Sequence, residues 1–127
     1  MPRQLKRLDI DFTVCQTQDL SGVDLSQEYV FVAKTDEELS LVCETSRVPG
    51  NAIICEHGWK ALRLEGVIDF EEIGVIADIS RIISGAAMSL FVISTYNTDY
   101  ILLKEANYER SITLLETNGY HITGGVE

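Results

Sequence analysis

Two short apolar runs, Met88-Ser89-Leu90-Phe91-Val92-Ile93 and Tyr100-Ile101-Leu102-Leu103-Lys104, enclose Ser94-Thr95-Tyr96-Asn97-Thr98-Asp99. β-Branched and aromatic runs of this length, separated by Ser, Thr, Asn and Asp, read as two neighbouring strands of a hairpin. The turn carries more polar chemistry than reversal needs, because an Asn-Gly or Asp-Gly pair suffices for that. Local backbone satisfaction by Ser, Thr, Asn and Asp is one explanation. A pocket rim is the other.

Outward from the hairpin the period changes. Phe70 to Ser84 reads as a helix closed by Gly85 as a left-handed cap. Glu71, Gly74, Asp78 and Arg81 form one narrow polar stripe on it, while Ile73, Val75, Ile76, Ile79, Ile82 and Ile83 cover the rest, so burial on more than one side is expected. Downstream, Asn107 to Asn118 reads as a second helix, with Tyr108, Ile112 and Leu115 on one face and Gly119 beyond its end. Trp59 to Glu65 supplies a strand before the first helix, with Trp59 expected in the core, and Tyr120 to Thr123 a strand after the second. The order strand, helix, strand, strand, helix, strand is the ferredoxin-like βαββαβ arrangement of the α+β class, with both helices on one face of an antiparallel sheet.

The first half is β-rich. Leu8 to Cys15 alternates apolar and polar residues, and Tyr29 to Lys34 and Leu39 to Cys43 are further strands. Thr35 and Glu38 match a capping box, yet the following run is too short and too apolar for an amphipathic helix, so they read as a turn. Pro49, Gly50 and Asn51 punctuate a seam. The expected division is therefore 1–58 and 59–127, with the first part a sheet extension or, the preferred reading, a degraded copy of the βαββαβ unit.

The chain has 127 residues, enough for one domain or two very small ones with a real core. A formal net charge of -10 repels phosphate backbones and anionic lipid surfaces, which argues against nucleic acid and membrane partners. No apolar stretch approaches the roughly 20 residues that cross a bilayer. MPRQLKRLDIDF carries no apolar signal core, so a cytoplasmic location is expected. Cys15, Cys43 and Cys55 lack C-x-x-C spacing and read as buried, reduced thiols. Cys55, His57 and His121 fall short of a zinc set, and no Gly-x-Ser-x-Gly elbow or Cys-His signature is present. Neither a metal nor another cofactor is expected.

Trp59-Lys-Ala-Leu-Arg-Leu-Glu-Gly66, Val67-Ile-Asp-Phe70, Gly74-Val-Ile-Ala77 and Phe91 to Leu103 together resemble a family of small tandem ACT-domain proteins. Phe31 to Cys43 is similar to that family's first half, which makes residues 1–58 an ACT-like subdomain and 59–127 an ACT domain. The family is in turn similar to the ACT pairs of the eukaryotic cytosolic arginine sensor. The resemblance implies a non-catalytic regulatory module that binds an amino acid or another small effector where two ACT units meet side by side. The ligand-binding positions it implies are Asp69 and Glu72 at the first helix start, Ser89 and Leu90 at a strand entrance, and Thr95, Tyr96 and Asp99 in the turn. Ser89 and Leu90 would come from one unit and the remainder from its partner, in a homodimer. Asp69 stands where the sensor has glycine, which narrows the pocket or changes its ligand.

Chemistry gives these positions a consistent task. Asp99 and Glu72 accept from an ammonium or guanidinium, backbone N–H groups at the helix start hold a carboxylate, and Thr95 and Tyr96 add hydroxyl and cation–π contacts. The acidic side chains tilt the expectation toward arginine or lysine. A different class of function is an interaction adaptor whose pocket Asp69 occludes. An enzyme using Asp99 or Glu72 as a base lacks a partner acid and an oxyanion device in the sequence.

Overall fold

The computed structural model describes residues 3–65 and 74–124. Its strands are β1 (Arg3–Thr17), β2 (Phe31–Lys34), β3 (Leu39–Glu44), β4 (Ala52–Leu64), β5 (Leu90–Ser94), β6 (Asp99–Lys104) and β7 (Tyr120–Thr123). Its helices are α1 (Val75–Gly85) and α2 (Tyr108–Thr117). The chain divides into two compact units: a larger one of residues 1–9 and 60–127, and a smaller one of residues 10–59. Both long strands, β1 and β4, contribute residues to each.

In the larger unit the strand order is β5-β6-β4-β1, with β7 beside β1. This is the ferredoxin-like order of the unit's own four strands, with the start of β1 inserted between the first, β4, and the last, β7. The insertion is parallel to β7, from Arg3↔Tyr120 to Lys6↔Thr123. Leu5 is the buried residue of that segment. Antiparallel β5 and β6 run in register from Leu90↔Leu103 to Ser94↔Asp99, as the hairpin reading requires.

The core of this unit gathers Leu5, Leu62, Ile101 and Leu103 from the strands with Val75, Ile79, Ile82, Ile83, Ile112 and Leu115 from the helices. Tyr108, at the first turn of α2, is buried and donates its hydroxyl to the Ala61 carbonyl at 2.7 Å, satisfying both groups. Arg7 lies 5.1 Å above its ring and forks onto Glu109.

Helix α1 differs from expectation in two ways. Its buried residues Val75, Ile79, Ile82 and Ile83 fall on one face, while Ala77, Arg81 and Ser84 are exposed, so burial on several sides does not occur among the described residues. Residues 70–73, expected within it, lie outside the described residues. The left-handed cap is Ala87 at φ 61°, not Gly85, which is the last helical residue. Met88 N–H bonds the Ile83 carbonyl and Ala87 N–H that of Ser84, the Schellman pattern, and buried Met88 anchors it. Helix α2 ends as read, with Gly119 at φ 94°.

The smaller unit has the order β2-β3-β1-β4, with β1 antiparallel to β3 from Phe12↔Glu44 to Gln16↔Ser40. Strand order and hairpin both repeat those of the larger unit, in keeping with a β-rich, ACT-like half. Where the larger unit has α1, residues 18–30 form a loop. Asp19 and Asp24 each capture the N–H and hydroxyl of the serine two residues on, Ser21 and Ser26, and such turns compete with a helix. Cys15, Leu41 and Cys43 form a small core beneath it, with Val23, Val30, Val48, Ala52 and Cys55 against its sides. Within β4, Gly58 holds φ 85°, a conformation that favours glycine.

Candidate functional site

The polar turn of the larger unit is built by Thr95. Its N–H bonds the Thr98 carbonyl at 2.8 Å, its hydroxyl donates to the same carbonyl at 3.0 Å, and it accepts from the Thr98 N–H at 3.3 Å. Thr98 donates its own hydroxyl to the Leu64 carbonyl, fixing the turn beside the end of β4. The Thr95 hydroxyl is thus spent on the turn itself. Tyr96 projects at the tip with 83% of its surface exposed, and Asp99, half-buried, opens β6 opposite Ser94.

Ser89 and Leu90 sit elsewhere. Ser89 is exposed just before β5, and Leu90, its first residue, rests half-buried against the core. Five strand residues separate Leu90 from Thr95, about 16 Å. Thr95, Tyr96 and Asp99 come together at one end of the hairpin; Ser89 and Leu90 occupy the other. Asp69 and Glu72 lie outside the described residues. Among the described residues, strand β5 is an edge of its sheet, paired with β6 alone.

A polar cleft of about 490 Å³ opens where α1 begins, lined by Arg3, Gly74, Asp78, Asn118, Gly119 and Tyr120. Gly74 caps α1 at φ 93° with no side-chain cap bond. Asp78 accepts from Arg81 at 2.8 Å and from the Tyr120 hydroxyl at 2.7 Å. Those two bonds, Arg81 first, hold its carboxyl below the usual range, whereas burial and then Asp78 push the Tyr120 phenol up. Arg3, Asn118 and Tyr120 escaped the sequence reading because β7 joins β1 only through the parallel pairing. The stripe of Gly74, Asp78 and Arg81 was the available signal.

The remaining reactive side chains point to structural roles. Cys15 and Cys43 are buried and Cys55 half-buried, and all three are free thiols. Burial pushes the Cys15 thiol up to about 11, which disfavours the nucleophilic thiolate. His57 Nδ1 shares a hydrogen bond with Thr13 Oγ1 at 2.8 Å, and Thr13 Oγ1 also meets Thr45 Oγ1. Among the described residues no three His, Cys, Asp or Glu side chains converge as a metal site would require. No described helix is long and apolar enough to cross a membrane.

A βαββαβ sheet backed by two helices, with its polar turn beside the end of β4, defines a small ferredoxin-like α+β domain. The ACT domain profile matches residues 54–117, half of the chain, and the chain belongs to that family. Among curated proteins no sequence matches it. Its structure is similar to that of protein Atu0741 from Agrobacterium tumefaciens, with a TM-score of 0.84 and 24% identity, covering 100% of this chain and 96% of that one. A Vibrio cholerae protein of unknown function, VC0802, described as a possible transport protein, gives a TM-score of 0.72 at 19% identity, over 91% of this chain and 88% of that one. The regulatory subunit of aspartate kinase from Thermus thermophilus, in its ligand-free form, gives 0.59 at 8% identity, over 89% and 95%. At these identities the likeness is one of fold.

Proposed function

We propose that the chain is a non-catalytic regulatory module that binds an amino acid between ACT units of two copies. Supporting this is membership of the ACT family and the fold shared with an aspartate kinase regulatory subunit. The observation that supports it is that Ser89 and Leu90 lie at one end of the edge strand β5 and Thr95, Tyr96 and Asp99 at the other. Antiparallel pairing of two β5 edges about a two-fold axis sets Ser89 and Leu90 of one copy against Tyr96 and Asp99 of the other. Such a homodimer forms two equivalent sites.

Within each site Asp99 and Glu72 receive cationic groups, Tyr96 forms a wall, and Thr95 holds the turn in shape. Asp69 borders the ligand. Similarity to the cytosolic arginine sensor and the acidic side chains favour arginine or lysine as effector.

A thermal-shift screen of the common amino acids tests this reading. Ligand at about a hundred times its dissociation constant stabilises the fold by about 2.7 kcal/mol. No shift from any amino acid argues against it. The adaptor reading rests on Asp69 in place of the sensor's glycine, and a response that emerges only in Asp69→Gly establishes that alternative.

A further inference from the structure

The smaller unit keeps the sheet of its larger counterpart but not the helices above it. Leu41 and Cys43 occupy the hairpin positions of Ile101 and Leu103, which α1 and α2 cover in the larger unit. Among the described residues, the loop 18–30 and the 3-10 turn Thr45–Arg47 border that region. A cavity of about 290 Å³ results, with Val23, Val30, Leu41 and Cys43 among its lining and Ser46 and Arg47 at its polar side.

The loop is pinned in place. Asn51 donates to Asp19 at 2.9 Å, and Gly22 packs so closely on Pro49 that an added Cβ would come within 2.7 Å of the proline Cβ. The cavity is therefore preformed, as small-ligand sites usually are. Its chemistry is lopsided. Arg47 bonds Glu44 through Nε alone, which leaves both terminal guanidinium nitrogens without a partner among the described residues. Asp24, the other charged lining residue, has its oxygens occupied by Ser26 and Gln27 and also lies within the field of Arg47. A chamber of mixed apolar and polar lining, in which the Arg47 guanidinium is paired with Glu44 through Nε and keeps its two terminal nitrogens unbonded among the described residues, matches a molecule with an aliphatic body and one carboxylate.

We infer that this cavity is a second ligand site, separate from the ACT–ACT site, for a small aliphatic carboxylate whose body lies on Leu41 and Cys43 and whose carboxylate meets Arg47 and the Ser46 hydroxyl. The carboxylate could belong to a free acid or to an aliphatic amino acid.

The test is an amide and guanidinium NMR titration of the full chain with 4-methylpentanoate. Saturable shifts at Val23, Val30, Leu41 and the Arg47 Nε–H are expected. Affinity is expected to fall at least tenfold in Arg47→Gln, in the cavity-filling Val30→Phe, and with 4-methylpentan-1-ol as ligand, but to stay unchanged in Asp99→Ala. Leucine bound as tightly as the acid names an amino acid as the source, and leucine bound more weakly names an ammonium-free acid; both support the site. Absence of saturable shifts at these residues, or undiminished affinity in Arg47→Gln, overturns the proposal. So does loss of binding in Asp99→Ala, which would put the ligand at the ACT–ACT site.

Discussion

Thr35 and Thr95, sixty residues apart, close two hairpin turns with the same bonds. Each N–H meets the carbonyl three residues on, Glu38 at 2.9 Å and Thr98 at 2.8 Å, and each hydroxyl accepts from that residue's N–H. The flanking registers agree as well, Phe31↔Val42 matching Phe91↔Leu102. The repetition identifies the threonine as a turn device common to both halves.

Thr35→Val and Thr95→Val are accordingly expected to cost about 1 kcal/mol each, the usual worth of such hydrogen bonds, with the serine substitutions nearly neutral. Urea denaturation of the four variants checks this. Unaltered stability in Thr95→Val would show that its hydroxyl does not hold the turn.

The end of α1 offers a second prediction, since its two small residues are exchanged relative to an ideal cap. Gly85 is helical with nothing within 4 Å of an added Cβ, so Gly85→Ala is expected to stabilise by about 0.5–1 kcal/mol. Ala87 holds φ 61°, a conformation that costs an L-residue about 1 kcal/mol and glycine little, so Ala87→Gly is also expected to stabilise. Thermal denaturation should show a higher midpoint for each; a lower midpoint for Ala87→Gly contradicts the cap geometry.

Alkaline pH probes the core. Burial pushes the Tyr108 phenol up to about 12 from 10.0, opposed by Arg7, and the Cys15 thiol up to about 11 from 9.0. Both groups hold their protons more tightly folded than unfolded. Their stabilisation is complete below the unfolded values and is lost as pH rises through the folded ones. Stability is thus expected to fall from about pH 9 to 12, and Tyr108→Phe to flatten the upper part while lowering the plateau, because the Ala61 carbonyl loses its donor. A wild-type profile flat across that range would contradict this assignment.

The short-range signals of the sequence carried most of the fold. Alternation and turn residues located β5, β6 and β7, and Gly119 marked the end of α2. The lengths of β1 and β4 were hidden. Gly58, at φ 85°, interrupts the regular backbone of β4, and the start of β1 is ordered by a partner over a hundred residues away, as Arg3↔Tyr120 shows. The Ala87 cap was missed because glycine is favoured there but not required. At the site, the hairpin residues were legible from their polarity, whereas Arg3 and Tyr120 meet Asp78 only through tertiary pairing.

The central claim, a site divided between two copies, is tested most directly by mixing two disabled variants. Ser89→Asp blocks one half of each site and Asp99→Ala empties the other, so neither variant alone should bind the amino acid that the wild-type chain takes. After the two are unfolded together and refolded, half of the dimers are expected to be mixed, each with one intact site, and calorimetry should recover about a quarter of the wild-type binding capacity. Recovery of none, or a wild-type chain that binds as a monomer, would contradict the account.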